Sequence, residues 1–172
     1  MSLRPPKPVK PGPGQESVWD YPRPPALVPF RGSVRIEHGG VVVAESTTAY
    51  RVLETSHPPT FYIPGSAFVD GVLVPVEGGS FCEWKGRAAY ADIVTAAAGG
   101  DGAVARRAAW TYPDPTPGFR DLLDHWSVMP LSVDAIYVDD ERVRPQEGGF
   151  YGGWVTDDVV GPFKGTPGPW GW

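Results

Sequence analysis

Three stretches of the sequence combine reactive polar side chains with aromatic rings: residues 54–62, residues 80–86 and residues 109–113. The first contains Glu54 and His57, and the second contains a cysteine, a glutamate and a lysine. Carboxylate and imidazole groups transfer protons, thiols act as nucleophiles, and ammonium groups hold anions. Because aromatic rings surround these groups, the pattern predicts an aromatic-lined pocket for a small polar or anionic metabolite, with acid/base chemistry open.

The second stretch has a pattern that predicts a β-strand over residues 81–85. Cys82 and Trp84 would then point to one face of the sheet, and Glu83 and Lys85 to the other. On a solvated face, Glu83 and Lys85 would form an ordinary ion pair. At the base of a pocket, Lys85 would hold an anionic ligand and Glu83 would act as an acid or base, since a buried charge must be paired. The sequence leaves both interpretations open.

His57 and Cys82 are the other two candidate catalytic residues. A thiol becomes a nucleophile when a base lies within hydrogen-bond reach, so a Cys82–His57 pair is one hypothesis. The alternatives are structural: Cys82 as a small buried apolar side chain, and His57 as a ring bonded to a backbone carbonyl in a rigid turn before two prolines. Spacing along the chain does not decide between them.

We predict no metal and no cofactor. His38, His57 and His125 are far apart and form no HxH or HxxxH pair, and with one cysteine the chain can form neither an intramolecular disulfide nor a four-cysteine zinc site. No GxxxxGK[ST] or GxGxxG motif is present.

A short glycine motif, Gly78-Gly79-Ser80, resembles the opening of nucleotidyltransferase sequences. Those enzymes bind metal through a closely spaced pair of acids further along the chain. Here Asp92 is followed two residues later by Val94, so the acidic pair is missing and nucleotidyl transfer is disfavoured.

The elements that would position these residues are predicted to be short β-strands. In 172 residues there are 22 glycines and 21 prolines, which suggest many turns, and 7 Trp, 7 Tyr and 7 Phe, which supply enough apolar surface for a core. The clearest hairpin is Val34–Val43 with Gly39-Gly40 at its tip, and a second surrounds Asp139-Asp140. The predicted fold is a mainly β, compact antiparallel β-barrel or sandwich-like single domain.

Other segments are predicted from composition. Residues 1–14, rich in proline and basic residues, are expected to form a disordered tail, and residues 15–172 the single domain. Residues 116–124 predict one short helix, with Thr116 able to cap it. The Gly/Trp-rich segment from 148 to 172 is expected to pack on the domain. An alternative function uses this segment as a non-catalytic interaction or dimerisation surface.

Composition also limits partners and location. No window approaches the roughly 18 apolar residues of a membrane span, and no secretory leader is recognisable, so a cytoplasmic protein without a membrane partner is expected. The net charge is −5 and no basic stripe follows the first dozen residues, which argues against nucleic acid as a partner. A homodimer stays open.

Five motif blocks carry a family resemblance. The chain resembles the bacterial and fungal family catalogued as domain of unknown function 427 over roughly residues 16–172, in the blocks ESVWDYPRPP (16–25), RVLETSHPP (51–59), SFCEWKG (80–86), AWTYPDPTP (109–117) and GGFYGGWVTDDVVGPFKG (148–165). The resemblance implies a small β-rich domain without a known cofactor or established activity. It also suggests that the residues of the blocks come together: Glu54, His57, Tyr62, Cys82, Glu83, Trp84, Lys85, Trp110, Tyr151, Trp154 and Lys164.

Overall fold

Short apolar runs separated by turn residues fold into strands and 3-10 helices in the computed structural model, which describes residues 6–96 and 102–165. The strands are β1 (Glu16–Ser17), β2 (Ala26–His38), β3 (Val41–Leu53), β4 (Thr60–Pro64), β5 (Leu73–Cys82), β6 (Gly86–Thr95), β7 (Ala103–Thr111), β8 (His125–Val128), β9 (Ala135–Val138), β10 (Glu141–Arg142), β11 (Arg144–Pro145), β12 (Trp154–Val155) and β13 (Val159–Val160). The 3-10 helices are Val18–Asp20, Gly65–Ala67, Pro117–Leu122 and Pro130–Ser132.

Nine of the strands form one antiparallel sheet in the order β10-β9-β2-β3-β4-β8-β7-β6-β5. Within the described residues, β10 and β5 are its two edges, so the sheet does not close into a barrel. Residues of β2 and of β6, which are far apart in this order, nevertheless share one hydrophobic core, so the sheet curls over on itself. The predicted mainly β fold is confirmed, in its sandwich-like form.

Both predicted hairpins are present. Gly39 and Gly40 have φ of 61° and 79° at the turn between β2 and β3, a conformation that glycine adopts without strain. Asp139 and Asp140 take φ of 47° and 65° at the turn between β9 and β10. In the second turn the Asp139 carboxylate also accepts a hydrogen bond from the backbone N–H of Ser33, at 2.8 Å, which ties this hairpin to β2.

The two faces of the sheet bury different side chains. On β4, Phe61 and Ile63 belong to the larger core, while Tyr62 between them belongs to a second cluster rich in tyrosine and tryptophan. This alternation follows from the two-residue period of a strand. The second cluster lies under the 3-10 helix Pro117–Leu122, whose Phe119 and Leu122 are buried in it.

The predicted short helix is confirmed as the 3-10 helix Pro117–Leu122, but the expected cap is wrong. The hydroxyl of Thr116 makes no capping hydrogen bond; it donates to the backbone oxygen of Trp84 at 2.6 Å. Its backbone N–H also donates to the oxygen of Lys85, at 3.1 Å. Thr116 therefore ties the β5–β6 turn to the helix.

The two ends of the described chain meet beside β3. β1 pairs in parallel with β13, and Val18 and Val159 are buried in one small cluster with Leu53, the last residue of β3. Residues 6–14 have no regular structure, and Val9 donates its backbone N–H to the oxygen of Gly161 at 2.8 Å. Residues 1–5 of the predicted tail and residues 166–172 of the C-terminal segment lie outside the described residues. No helix in the described part of the chain is long and apolar enough to cross a membrane.

Candidate functional site

The loop after β3 holds the first two candidate residues. Glu54 follows the end of β3 directly, and the backbone N–H of His57 donates to the oxygen of Glu54 at 3.0 Å, which closes a turn. Ser56, with φ of 71°, donates its N–H to Val18 and accepts one from Lys164, at 3.0 and 2.8 Å. The N-terminal and C-terminal segments thus hold this loop from both sides.

Glu54 lies between a guanidinium and an imidazole. Its Oε2 is 3.3 Å from Nη2 of Arg23 and 3.7 Å from Nε2 of His57. The first contact is an ion pair at the surface, while the second is longer than a hydrogen bond. The side chains of Glu54 and His57 are mostly buried, with 24% and 15% of their surface exposed. A carboxylate beside a buried ring is an arrangement that can orient the ring or accept a proton.

His57 has two further neighbours. Its Nδ1 is 3.4 Å from Nε2 of Gln146, and its ring packs edge-on against Tyr151 with 5.0 Å between ring centres. Burial lowers the pKa of His57; the Glu54 carboxylate raises it, and the cations Lys164, Arg23 and Lys85 lower it again. The net pKa is lower than that of a free histidine, so the neutral ring is favoured.

The turn between β5 and β6 corrects the strand prediction for residues 81–85. β5 ends at Cys82 and β6 begins at Gly86, so Glu83, Trp84 and Lys85 form a hairpin turn. Gly86 has φ of 107°, and a Cβ there would lie 3.1 Å from a backbone oxygen, so the turn requires glycine. Residues of a turn do not alternate between two faces, and the expected separation of Cys82 from Lys85 is therefore wrong.

Lys85 turns inward from this hairpin. Its Nζ lies 5.6 Å from the centre of the Tyr112 ring, in a cation–π arrangement, and it interacts with the thiol of Cys82. Burial lowers the pKa of Lys85, but Tyr62, Cys82 and Glu54 raise it, and the net pKa is raised. The lysine therefore carries a positive charge, and within the described residues no carboxylate forms an ion pair with it.

Tyr62 and Trp110 form the floor beside Lys85. Trp110 donates its indole N–H to the hydroxyl of Tyr62 at 3.2 Å, and Tyr62 has 1% of its surface exposed. Burial raises the pKa of Tyr62, and it also raises that of Tyr112, so both phenols stay protonated. The ring of Trp110 is covered by Gly152, where an added Cβ would lie 2.4 Å from a ring atom.

The C-terminal segment supplies the opposite side of the site. Nζ of Lys164 lies 5.6 Å from the ring centre of Tyr151. Lys85 lies in the middle of the chain and Lys164 is 79 residues further on, yet both lower the pKa of His57. These residues form what we call the Lys85–His57 site: Arg23, Glu54, His57, Lys85, Gln146, Tyr151 and Lys164.

Two predicted residues lie elsewhere. Glu83 is exposed on the β5–β6 turn, and Glu54 is the carboxylate that faces the imidazole. Trp154 is 1% exposed in the larger core, where it stacks on Phe61 with ring centres 5.0 Å apart and donates its indole N–H to the oxygen of Val128. Trp84 is half-buried against the second cluster. The other predicted residues meet at the Lys85–His57 site or on the tyrosine and tryptophan floor beside it.

The structure pairs Cys82 with Lys85, and His57 with Glu54 and Gln146. Among residues 6–96 and 102–165, no three or more His, Cys, Asp or Glu side chains gather where they could hold a metal ion. The glycine motif at 78–80 lies within β5, and Asp92 accepts the backbone N–H of Arg107 at 2.7 Å, a structural hydrogen bond. As for the interaction surface proposed from the C-terminal tryptophans, Trp154 is buried, and Trp170 and Trp172 are outside the described residues.

Sequence reasoning missed Arg23 and Gln146 of the Lys85–His57 site, and also Tyr112, whose ring lies beside the ammonium of Lys85. Arg23 stands in the motif block 16–25 and Tyr112 in the block 109–117, but neither is among the predicted site residues. Gln146 follows a short strand in an irregular segment and belongs to no block, so no local pattern pointed to it. Only the fold brings it beside His57, which is 89 residues away in sequence.

The fold and the site define a small antiparallel β protein with a basic, aromatic-lined polar cluster on the outer side of its sheet. A family model described as Domain of unknown function (DUF427) matches residues 26–139, and the chain belongs to this family. Arg23, Gln146, Tyr151 and Lys164 lie outside the matched range, so the site combines the family domain with flanking segments. No curated protein matches the chain.

Proposed function

We propose that this protein binds a small anionic metabolite of the carboxylate or phosphate type at the Lys85–His57 site. One observation carries the proposal: Lys164 lies over the Tyr151 ring that packs on His57, Arg23 contacts the Glu54 carboxylate beside it, and these two cations and Lys85 all lower the pKa of His57, against the single carboxylate of Glu54. The chain as a whole has a net charge of −5. A local excess of positive charge in an acidic protein favours an anionic ligand.

The ammonium of Lys85 is the best anchor for such a ligand. It is largely buried and stays charged, and burial keeps the neighbouring phenols of Tyr62 and Tyr112 protonated. A charge-assisted hydrogen bond from a partly desolvated ammonium is stronger than one made in water. The half-buried rings of Tyr151 and Trp84 provide apolar surface for the rest of the molecule.

Acid/base chemistry belongs to the same proposal, with a change of residue. Glu54, not Glu83, stands beside the imidazole and within the positive field of the site. A carboxylate in that place can take a proton from a bound molecule. Cys82 interacts with the ammonium of Lys85, so we assign its thiol to holding that lysine in place.

The test is a thermal-shift screen of small carboxylates and phosphorylated metabolites with the full chain. A ligand present at a hundred times its Kd stabilises the folded state by about 2.7 kcal/mol, which raises the Tm by several degrees at this size. We expect at least one such ligand, and a loss of affinity of about tenfold or more in Lys85→Gln and in Lys164→Gln.

Arg106→Gln is the matched control, because Arg106 is exposed on β7 and the substitution removes one positive charge elsewhere on the molecule. Its binding should equal that of the original protein. No shift with any ligand, or an equal loss of affinity in all three variants, would contradict a specific anion site.

A further inference from the structure

The amide of Gln146 can have only one orientation. The backbone N–H of Gly153 donates to its Oε1 at 3.2 Å, and its Nε2 donates to the backbone oxygen of Lys164 at 2.7 Å. A backbone N–H cannot accept and a carbonyl cannot donate, so the two partners fix which end of the amide is oxygen and which is nitrogen. Gln146 is 3% exposed, so water does not replace these bonds.

The second hydrogen of the Gln146 amide nitrogen then faces His57. The distance from Nε2 of Gln146 to Nδ1 of His57 is 3.4 Å. Nδ1 must be an acceptor in this contact, because a proton on Nδ1 would set two donors against each other. The contact therefore favours a neutral imidazole with its proton on Nε2.

The Nε2–H group points to the polar side of the site. Oε2 of Glu54 is 3.7 Å away, beyond the range of a direct hydrogen bond. Lys164, Arg23 and Lys85 lower the pKa of the ring by their positive charge, and the ring of Tyr151 packs on its edge. Of these charged neighbours, only Glu54 favours the doubly protonated ring.

We propose that Gln146 is a positioning residue that holds His57 as a neutral donor through Nε2, and that His57 thereby donates a hydrogen bond to the bound oxyanion. This inference rests on the proposed function for the identity of the ligand. It assigns the ligand class more narrowly: the atom beside His57 is a hydrogen-bond acceptor, such as a carboxylate, sulfate or phosphate oxygen, and not an ammonium or guanidinium group. It also leaves Glu54 as the group that takes a proton.

The first experiment uses the protein without ligand. Two-bond ¹H–¹⁵N correlation spectra distinguish a protonated from an unprotonated imidazole nitrogen. At pH 7 we expect Nε2 of His57 to be protonated and Nδ1 to be bare. A proton on Nδ1, alone or in an imidazolium, would overturn the assignment without any need for a ligand.

The variants test whether Gln146 causes this state. Gln146→Glu puts a carboxylate against Nδ1, so a proton on Nδ1 becomes favourable and the pKa of His57 should rise. Gln146→Met removes the hydrogen-bond donor and should allow both neutral tautomers of His57. This variant provides the test if Gln146→Glu does not fold. An unchanged His57 spectrum in a folded variant of either kind would overturn the role of Gln146.

The second experiment uses sulfate as the probe, because sulfate remains a dianion from pH 5.5 to pH 8. As the pH falls over this range, its affinity for Gln146→Glu should rise by about tenfold because His57 becomes charged, and its affinity for the original protein should change less. The Nε2–H proton of His57 should shift when sulfate binds.

The outcomes separate the two proposals. If sulfate fails to bind while His57 carries its proton on Nε2, the proposed oxyanion function and the donor role are overturned and the positioning by Gln146 is supported. If sulfate binds to a protein whose His57 is an imidazolium, the anion site is supported and the inference about Gln146 is overturned.

Discussion

At His57, burial and three nearby cations act in the same direction, and only the carboxylate of Glu54 opposes them. In the unfolded chain the ring regains an ordinary pKa near 6.5, so between that value and the lower folded pKa the unfolded state binds more protons. Stability therefore rises with pH in this window. It is lost as the pH falls from about 7 toward the folded pKa.

In His57→Gln the free energy of unfolding should fall less steeply between pH 7 and pH 5 than it does with histidine present, because the variant lacks the group that protonates only on unfolding. Urea denaturation at a series of pH values measures the slope. Above pH 8, where His57 is neutral in both states, the slopes should agree; equal slopes at all pH values would show that the pKa of His57 is not lowered.

At the scale of elements, the site depends on two irregular segments that pack on regular strands. The β5–β6 turn brings Lys85 over the ring of Tyr112, and the segment from Gln146 to Gly153 covers both His57 and Trp110. Gly152 allows the closest approach, since its backbone lies directly on the indole ring. The segment from Gln146 to Gly153 therefore holds its side chains beside His57 only while its backbone stays against β7.

We predict that Gly152→Ala lowers the free energy of unfolding by about 1–3 kcal/mol, as overpacking against a large ring usually does. An added Cβ would lie 2.4 Å from the Trp110 ring, so either the ring or the segment must move. Urea denaturation measures the loss, and tryptophan fluorescence reports the movement.

Gly118→Ala is the control, because a Cβ on Gly118 meets no atom within 4 Å. It should change stability by less than about 0.5 kcal/mol. A similar effect of the two substitutions would mean that Gly152 does not press on Trp110.

In the molecule as a whole, the chain that follows β11 contributes to the core through Trp154. The ring of Trp154 stacks on Phe61, and its indole N–H donates to the backbone oxygen of Val128. The backbone N–H of Trp154 donates to the oxygen of Pro59 at 2.8 Å. These partners lie on or beside β4 and β8, in the middle of the sheet. The sheet, the loop that carries His57 and the segment that carries Gln146 are thus joined at one residue.

We expect Trp154→Ala to cost about 3–5 kcal/mol of stability, because it leaves a large cavity in the core. Phe150→Ala, at a position 79% exposed, should cost less than about 1 kcal/mol. Chemical denaturation of both variants makes the comparison. A small loss for Trp154→Ala would mean that the segment after β10 is not needed for the stability of the sheet.

The β class, both hairpins and the short helix could be predicted from local patterns, because strand alternation, turn glycines and aspartates act over a few residues. Residue types within the motif blocks also indicated that four residues belong to one site: Glu54, His57, Lys85 and Lys164. The turn at 83–85 was mistaken for a strand because Gly86 is required by a close approach to a distant backbone oxygen, which no local pattern records.

The sequence by itself determined which strands and turns form and which reactive side chains are available, because these depend on the chemistry of neighbouring residues. Only the tertiary structure decided that Glu54 and not Glu83 lies beside the imidazole, that Trp154 belongs to the core, and that Gln146 faces His57. Burial, electrostatic fields and hydrogen-bond partners depend on distances in space, and residues far apart in the chain set those distances here.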